Sequence, residues 1–418
     1  MSLSPSLIDD TVAALRFILP LHQPADVLMS SFFRDNAKLG AKDRAFIAET
    51  VFGILRRKRY LEFMAGKATP RHLLFAYLIK LAGMNQREAE PLLSPAEIDW
   101  FKQVKAMPSD KLALGVQADF PDWLVEKLQA FMPDGEILAL ARTMQHAAPL
   151  DLRVNTLLAN RDEVLQTLNS EGIEAHATPH SPVGIRLKEK PALHKHPLFI
   201  GGKVEVQDEG SQLLAFLVAP KRTDMVADFC AGAGGKSLAL GALMHSQGRL
   251  YAFDVSEKRL NKLKPRLKRS GLSNLHPQLI NNENDARLKR LAGKIDRVLV
   301  DAPCSGLGTL RRNPDLKWRQ TPQAIAELTQ KQHAILASAA KLVKLGGRLV
   351  YATCSLLPEE NEEIVSAFLQ ARPDFKLLDC SEILAAQRIT IASGEYLRLS
   401  PGSHSTDGFF AAAMEKIS

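Results

Sequence analysis

The stretch that most constrains this chain is a short apolar run followed by a glycine-rich turn, at residues 226–237. It reads Val-Ala-Asp-Phe-Cys-Ala-Gly-Ala-Gly-Gly-Lys-Ser. The apolar run predicts a buried strand, and the residues after the glycines predict the start of a helix. Glycine adopts backbone angles closed to other residues and lets the chain approach a ligand closely. Such a turn, at the carboxyl end of a strand, is where open α/β sheets bind nucleotides.

Downstream of this turn, strand and helix patterns alternate, which is typical of βαβ units and a parallel sheet. Strands are predicted at residues 225–229, 249–254, 276–280, 297–301 and 348–353. Helices are predicted at 237–245, 258–270, 322–345 and 359–371, and a closing antiparallel hairpin at 398–400 and 408–413. At the start of the 359–371 helix, the charges of Glu359, Glu360, Glu362 and Glu363 favour its first turn.

In the first part of the chain, before the glycine turn, apolar residues recur mainly at helical spacing. One long helix is predicted from Lys42 to Phe63, and its outer face carries Arg44, Arg56 and Arg57 as candidate phosphate contacts. A chain of 418 residues exceeds one ordinary domain. We therefore expect a helical domain at 1–140, a small α+β connector at 141–220 and a sheet domain at 221–418.

Composition narrows the class of protein. The net charge of +8 favours a polyanionic partner. The four cysteines form no C-x-x-C pair, so neither a disulfide framework nor a metal site is expected. No apolar run is long enough for a membrane helix, and the N-terminus lacks the basic flank and apolar run of a signal peptide. We expect a cytoplasmic monomer with no membrane partner.

Three ligands could fit the glycine turn. A phosphate-binding loop needs a first glycine where Cys230 stands, and a dinucleotide fingerprint needs a third glycine where Ser237 stands. The third ligand is S-adenosylmethionine, whose sites combine a glycine turn with an acid at the end of the second strand. Asp254 is well placed for the ribose hydroxyls, and Asp285, after the third strand, for the adenine.

Two cysteines follow the ends of predicted sheet strands. They lie in Asp301-Ala-Pro-Cys304-Ser-Gly and in Ala352-Thr-Cys354-Ser, so both should open on the crevice of the glycine turn. A thiolate is a soft nucleophile suited to conjugate addition to an electron-poor ring. These residues do not by themselves tell which cysteine attacks. Cys380, and less clearly Cys230, is interpreted as inert packing.

These motifs together resemble the RNA cytosine-C5 methyltransferases of the RsmB (Sun/Fmu) family. The resemblance is carried by residues 230–237, 301–308 and 351–361, and by Arg311-Arg-Asn-Pro-Asp-Leu-Lys-Trp318. It extends to residues 40–61, 153–155, 207–212 and 407–410, and so to nearly the whole chain. Two positions depart from the pattern: Ala233 replaces the usual proline of the turn, and Asp285 follows an asparagine rather than a glycine.

The resemblance implies a Rossmann-like class I methyltransferase domain, preceded by an all-α NusB-like RNA-binding domain and a small α+β connector. It implies Cys354 as the nucleophile on cytosine carbon 6, Cys304 as the residue that assists product release, and Lys236 as an active-site lysine. Asp301 is the candidate for sharing a proton with N3. The predicted cofactor-binding residues are Cys230, Ala231, Gly232, Ala233, Gly234, Gly235, Lys236, Asp254, Asp285 and Asp301.

The predicted partner is RNA, with rRNA favoured. Because the target base must leave its stack to reach a thiol, a single-stranded or flipped nucleotide is expected. Predicted RNA contacts are Arg44, Arg56, Arg57, Arg311, Arg312, Lys317 and Trp318. Alternatives are the same chemistry on tRNA, a catalytically silent RNA-binding assembly factor, and a nucleotide hydrolase. The catalytic residues Cys304, Cys354, Asp301 and Lys236 argue against the silent factor.

Overall fold

The computed structural model describes residues 3–109, 112–391 and 393–418. They form two compact units. The helical unit comprises Met1–Ala147 and Thr309–Pro322, and the sheet unit comprises Ala148–Gly308 and Gln323–Ser418. The segment 309–322 therefore packs with the helical unit, although the sequence analysis assigned it to the 221–418 domain.

Short amphipathic helices build the helical unit around a core that includes Ile8, Leu15, Ile47 and Leu55. Numbered along the chain, its helices are α1 (Pro5–Ile18), α2 (Ala25–Asp35), α3 (Ala41–Arg56), α4 (Lys58–Ala65), α5 (Pro70–Lys80), α6 (Gln86–Ala89), α7 (Pro95–Ala106), α8 (Leu114–Ala118), α9 (Asp122–Gln129), α10 (Asp134–Met144) and α17 (Leu316–Arg319).

The single helix predicted from Lys42 to Phe63 is wrong, because the chain breaks at Arg57 into α3 and α4. Arg57 leaves the helical region, with φ −114° and ψ 24°. Its Nε lies 2.5 Å from the buried carboxylate of Asp119, whose other oxygen accepts the backbone N–H of Tyr60 at 2.9 Å. A distant carboxylate thus satisfies the first turn of α4 and stabilises the break.

The sheet unit begins with a small antiparallel sheet in the order β2-β3-β1-β4. Helix α11 packs on it, and Leu152, Val164, Leu168 and Ile185 are among its buried residues. The strands and helices are β1 (Leu150–Val154), α11 (Arg161–Ser170), β2 (Ala175–Ala177), β3 (Gly184–Leu187), α12 (Pro197–Ile200) and β4 (Val204–Val206).

The main sheet has the order β10-β12-β9-β8-β5-β6-β7, with β11 paired to β12. Strands β7, β6, β5, β8 and β9 are parallel, and β10, β11 and β12 join antiparallel. The strands are β5 (Met225–Asp228), β6 (Arg249–Asp254), β7 (Leu275–Leu279), β8 (Ile295–Asp301), β9 (Val343–Thr353), β10 (Phe375–Leu378), β11 (Tyr396–Leu399) and β12 (Phe409–Lys416).

Helices cover both faces of this sheet, as a parallel arrangement requires. They are α13 (Glu209–Val218), α14 (Gly235–Leu243), α15 (Glu257–Ser270), α16 (Ala286–Lys289), α18 (Pro322–Ala340), α19 (Glu362–Ala371), α20 (Cys380–Ala385) and α21 (Pro401–His404). The prediction that α18 continues to Leu345 is wrong, because Val343 already pairs with Ile295 of β8. The reversal in the order from β7-β6-β5 to β8-β9 creates the crevice where such sheets bind ligands.

Candidate active site

The glycine turn joins the end of β5 to the start of α14 and packs closely against its neighbours. Gly232 and Gly234 have φ of +56° and +81°, which favours glycine over other residues. A Cβ at Gly234 would lie 2.1 Å from Leu263 Cδ1 of α15. The N–H of Ala231 donates to the carbonyl of Phe253 in β6 at 2.8 Å. These contacts hold the turn in one place.

A cavity of about 490 Å³ opens above the carboxyl ends of the parallel strands. Most of the predicted cofactor-binding and catalytic residues line it: Cys230, Ala231, Gly232, Ala233, Gly235, Lys236, Asp254, Asp301, Cys304 and Cys354. Apolar walls come from Phe229, Val255 and Ile280. The cavity combines a flat apolar region with carboxylates and two thiols, and its size is typical of small-molecule sites.

The two acids predicted to hold a nucleoside lie in different surroundings. Asp254 lines the cavity at the end of β6, and its carboxylate accepts the N–H of Gly232 at 2.8 Å and that of Ser256 at 2.7 Å. Asp285 does not line it and is instead the N-cap of α16, accepting from the N–H groups of Asn281 and Arg287. The adenine contact of Asp285 stays a prediction, with its carboxylate at the N-cap of α16 rather than among the residues that line the cavity.

Lys236 and Asp301 form an ion pair across the cavity floor, with Nζ 2.6 Å from Oδ2. Lys236 is in the first turn of α14, and Asp301 ends β8. Burial by itself would lower the pKa of Lys236, but the charge and hydrogen bond of Asp301 outweigh it and raise that pKa. The lysine is therefore a fixed ammonium group that orients the carboxylate of Asp301.

The two strand-end cysteines meet in this cavity. The Sγ atoms of Cys304 and Cys354 lie 3.4 Å apart, and the N–H of Cys354 points at the Cys304 sulfur at 3.3 Å. The carbonyl of Cys354 accepts the N–H of Gly308 at 2.8 Å. The two sulfurs are close enough for one thiol to donate a hydrogen bond to the other. Each thiol can therefore change the reactivity of the other.

The remaining cysteines differ from each other. Cys380 is fully buried beside the carbonyl of Ala411, away from the cavity, and burial raises the pKa of its thiol to about 11. Cys230 lines the cavity, but burial also raises the pKa of its thiol. Both thiols are held in their neutral, weakly nucleophilic form.

Two arginines near the glycine turn were missed as site residues. Arg153 of β1 donates to the carbonyl of Gly235 at 2.6 Å, and Arg266 of α15 donates to that of Ala233 at 2.6 Å. Glu205 of β4 holds Arg266 at 2.9 Å. The small sheet thus fixes the turn through its carbonyls, a role that no local sequence signal indicates because the partners are far apart in the chain.

The predicted RNA contacts all lie in the helical unit, where several have internal roles. Arg44 Nε donates to the carbonyl of Leu39 at 2.9 Å, and Arg57 pairs with buried Asp119. Arg56 donates to the carbonyl of Arg311 at 3.1 Å, and Arg311 is buried. These guanidinium groups stabilise the unit's own loops, which weakens their interpretation as free phosphate contacts.

The 309–322 segment anchors itself in the helical unit. Lys317 is only 4% exposed, and its ammonium donates to the carbonyl of Arg56 at 2.8 Å. The indole N–H of Trp318 donates to the carbonyl of Leu55 at 2.9 Å. The expectation that Lys317 contacts phosphate is corrected, since both its position and its partner are interior. Arg312 lies in the same segment and is half-buried.

Among residues 3–109, 112–391 and 393–418, no group of three His, Cys, Asp or Glu side chains could hold a metal ion. No helix within the described part of the chain has the length and apolar character to cross a membrane.

Two family models and several curated relatives match this chain. Residues 215–415 match the family model described as 16S rRNA methyltransferase RsmB/F, and residues 120–194 match the ferredoxin-like domain of RsmF/B-like methyltransferases. A probable ribosomal RNA small subunit methyltransferase B from Synechocystis is 34% identical, over 90% of this chain and 92% of its own length. A protein of the same description from Bacillus subtilis is 29% identical, over 96% and 98%.

Among solved structures, the crystal structure of PH0851 matches with a TM-score of 0.81 and 28% identity, over 100% of both chains. A methyltransferase homologue protein from Pyrococcus horikoshii matches with a TM-score of 0.62 and 27% identity, over 78% of this chain and 100% of its own. The fold is that of the Rossmann-like class I methyltransferases. Within that class, the chain belongs to the RsmB/Sun family of RNA methyltransferases.

Proposed function

We propose that this protein methylates carbon 5 of a cytosine in RNA, with rRNA as the favoured substrate and S-adenosylmethionine as the methyl donor. The observation that carries the proposal is the pair of thiols, 3.4 Å apart, in the cavity of the glycine turn. Methyl transfer to an already nucleophilic atom needs no cysteine. Carbon 5 of cytosine is a poor nucleophile, and addition of a thiolate to carbon 6 makes it reactive.

The cavity residues fit the proposed donor by their chemistry. Asp254 offers a carboxylate to ribose hydroxyls, and Val255 and Ile280 offer an apolar surface to a flat base. Backbone N–H groups at the start of α14 favour a carboxylate. S-adenosylmethionine supplies an electrophilic methyl group to the reaction. The turn is fixed by Arg153 of β1 and by Arg266 of α15, which Glu205 of β4 holds in turn.

The remaining chemistry is assigned to this chain's own residues. The Cys354 thiolate adds to carbon 6 while N3 takes up a proton from solvent, and Asp301, oriented by Lys236, holds the N3–H group. After methyl transfer a water molecule takes the carbon-5 proton, the bond between carbon 6 and the Cys354 sulfur breaks to release the thiolate, and N3 returns its proton to solvent. The neutral S–H of Cys304, at 3.4 Å, stabilises that leaving sulfur by hydrogen bonding. The hydrogen bond with Cys354 and burial raise the pKa of Cys304 and keep it protonated.

We propose that RNA binds to the exposed face of α15. The helix begins three residues after Asp254 and exposes Lys258, Lys262, Lys264 and Lys268. A single acidic residue, Glu257, lies in the same helix. Replacing Lys262, Lys264 and Lys268 by Gln should weaken RNA binding and reduce its salt-dependence slope by about two, at about 0.7 per phosphate contact. Lys376→Gln, which removes an ion-paired lysine on strand β10, is the control.

Substitution of the cysteines tests the reaction. Cys354→Ala should abolish both methyl transfer and any covalent RNA adduct, measured by bisulfite sequencing and denaturing gels. Cys304→Ala should accumulate the adduct because the leaving thiolate loses its hydrogen-bond donor. Cys380→Ala, away from the cavity, should keep activity. Full methyl transfer by Cys354→Ala would contradict the proposed chemistry.

A further inference from the structure

One buried carboxylate beneath the two cysteines has no part in the chemistry above. Glu360 ends a 3₁₀ turn at Pro358–Glu360 and is 0% exposed. Its position in the sequence predicts that it lies, with three other glutamates, in the first turn of a helix. Helix α19 instead begins at Glu362, where Glu362 pairs with Arg398 and Glu363 is exposed. Glu360 alone of these four is wholly buried. Burial of an ionisable side chain is costly unless its contacts compensate.

The contacts of Glu360 join the loops of both cysteines. Oε1 accepts the backbone N–H of Ser305, the residue after Cys304, at 2.8 Å. Oε2 accepts the hydroxyl of Ser305 at 2.5 Å and also that of Ser355, the residue after Cys354. The two hydroxyls lie 3.0 Å from each other. One carboxylate therefore connects the segment of Cys304 to the segment of Cys354 through hydrogen bonds.

A third segment completes the arrangement. Gln332 of α18 is fully buried, and its amide donates to Glu360 Oε1 at 3.0 Å and to the carbonyl of Pro303 at 2.9 Å. Residues on both sides of Cys304 are thus held, Pro303 through Gln332 and Ser305 through Glu360. Among the described residues, the four groups that donate hydrogen bonds to this carboxylate are all uncharged.

We propose that Glu360 is a positioning residue, which joins the loops of the two cysteines by hydrogen bonds and so sets the separation of their thiols. The inference rests on the proposed function for its meaning, since a leaving thiolate needs a neighbouring S–H donor. The carboxylate also acts on Cys304 electrostatically. The pKa of Cys304 is raised by the hydrogen bond with Cys354, by burial, and by the charges of Cys354 and Glu360. A displacement of about 1 Å in such a site costs about a hundredfold in rate.

Two variants test the two effects of Glu360. Ser355→Ala removes one hydrogen bond and leaves the carboxylate in place, so the thiols should move apart and kcat should fall while KM for RNA stays constant. Glu360→Gln keeps the side-chain length, removes the charge and places an NH2 group where an oxygen accepted hydrogen bonds, so the pKa of Cys304 should fall and kcat should fall with it. Glu363→Gln, an exposed residue three positions on, is the matched control and should leave every value unchanged.

Thiol chemistry without RNA or methyl donor gives the decisive readouts. Diamide accepts two electrons and two protons from the Cys304 and Cys354 thiols, leaving a disulfide and a hydrazine. The rate of disulfide formation reports the separation of the two sulfur atoms, so it should be lower in Ser355→Ala. Iodoacetamide alkylation of Cys304 at pH 8, followed by peptide mass spectrometry, should be faster in Glu360→Gln. We expect about a threefold gain for each unit by which the pKa falls, because the thiolate becomes more abundant but less nucleophilic.

The outcomes separate this inference from the reaction proposed above. A folded Glu360→Gln with the wild-type alkylation rate and kcat would overturn the role of Glu360. If that variant does not fold, Ser355→Ala decides, and a wild-type disulfide rate there would overturn the positional claim. Retention of methyl transfer by Cys354→Ala would refute the proposed reaction, yet the thiol readouts would still report whether Glu360 positions the cysteines.

Discussion

Asp228, at the end of β5, should make the stability of the sheet unit depend on pH. Its side chain is 1% exposed, and one oxygen accepts the Ser237 hydroxyl at 2.6 Å. The other oxygen, Oδ1, is buried and has no hydrogen-bond partner among the residues that the structure describes. Burial raises the pKa of Asp228 from 3.8 to about 7, and the nearby carboxylates of Asp301 and Asp254 add to it.

The sign of the effect follows from proton linkage. Between pH 4 and pH 7 the folded state holds the Asp228 proton and the unfolded state has lost it, so stability falls as pH rises. Above pH 7 both states are ionised and the loss is complete. The difference of about three pKa units corresponds to about 4 kcal/mol in full, and the two units between pH 5 and pH 7 to about 3 kcal/mol.

Asp228→Asn removes this dependence. Asn is neutral and close in shape to the protonated acid, so the two proteins should be similar in stability at pH 5. Between pH 5 and pH 8, the difference in unfolding free energy between the variant and the wild type should shift by about 3 kcal/mol in favour of the variant. Urea unfolding, followed through pulsed alkylation of the buried Cys380, measures the sheet unit at both pH values. An equal difference between variant and wild type at pH 5 and pH 8 would refute the reasoning.

Three further substitutions test other parts of the structure. In Gly308→Ala a Cβ would lie 2.2 Å from the carbonyl of Gly408, so we expect a loss of about 1–3 kcal/mol and slower methyl transfer. Burial lowers the pKa of Lys317 to about 7, so wild-type stability should rise by about 3 kcal/mol from pH 7 to pH 9, and Lys317→Met should abolish that rise in urea unfolding followed by tryptophan fluorescence. Asp119→Ala leaves Arg57 without its buried partner and should cost about 3 kcal/mol in the same assay.

The parallel sheet could be predicted because its signals are local. Each of its central strands is an apolar run of a few residues, and the predicted ends agree with β5 to β9 within a few residues, except at the start of β9. The site residues at strand ends follow from the same rule, since parallel strands direct their carboxyl ends to one edge. Asp254, Asp301 and the two cysteines come together in the cavity for that reason.

The helical unit was harder to predict because distant carboxylates shape it. Asp119 ends α3 and begins α4 from more than fifty residues away, through Arg57 and Tyr60. Asp315 similarly accepts the first N–H of α2, at Ala25, at 3.3 Å. Helical spacing alone predicts one continuous helix over 42–63, because it contains no information about a partner that lies elsewhere in the chain.

Glu360 shows why part of the candidate site could not be predicted. In the sequence it is one of four nearby glutamates, and the known preference of acids for helix N-termini accounts for all four equally well. What distinguishes it is a set of donors from Ser305, Gln332 and Ser355, which belong to three separate segments. A carboxylate is buried only where several donors converge on it. The convergence exists only after β8, β9 and α18 have packed, so the residue that joins the two cysteine loops is recognisable only in the folded chain.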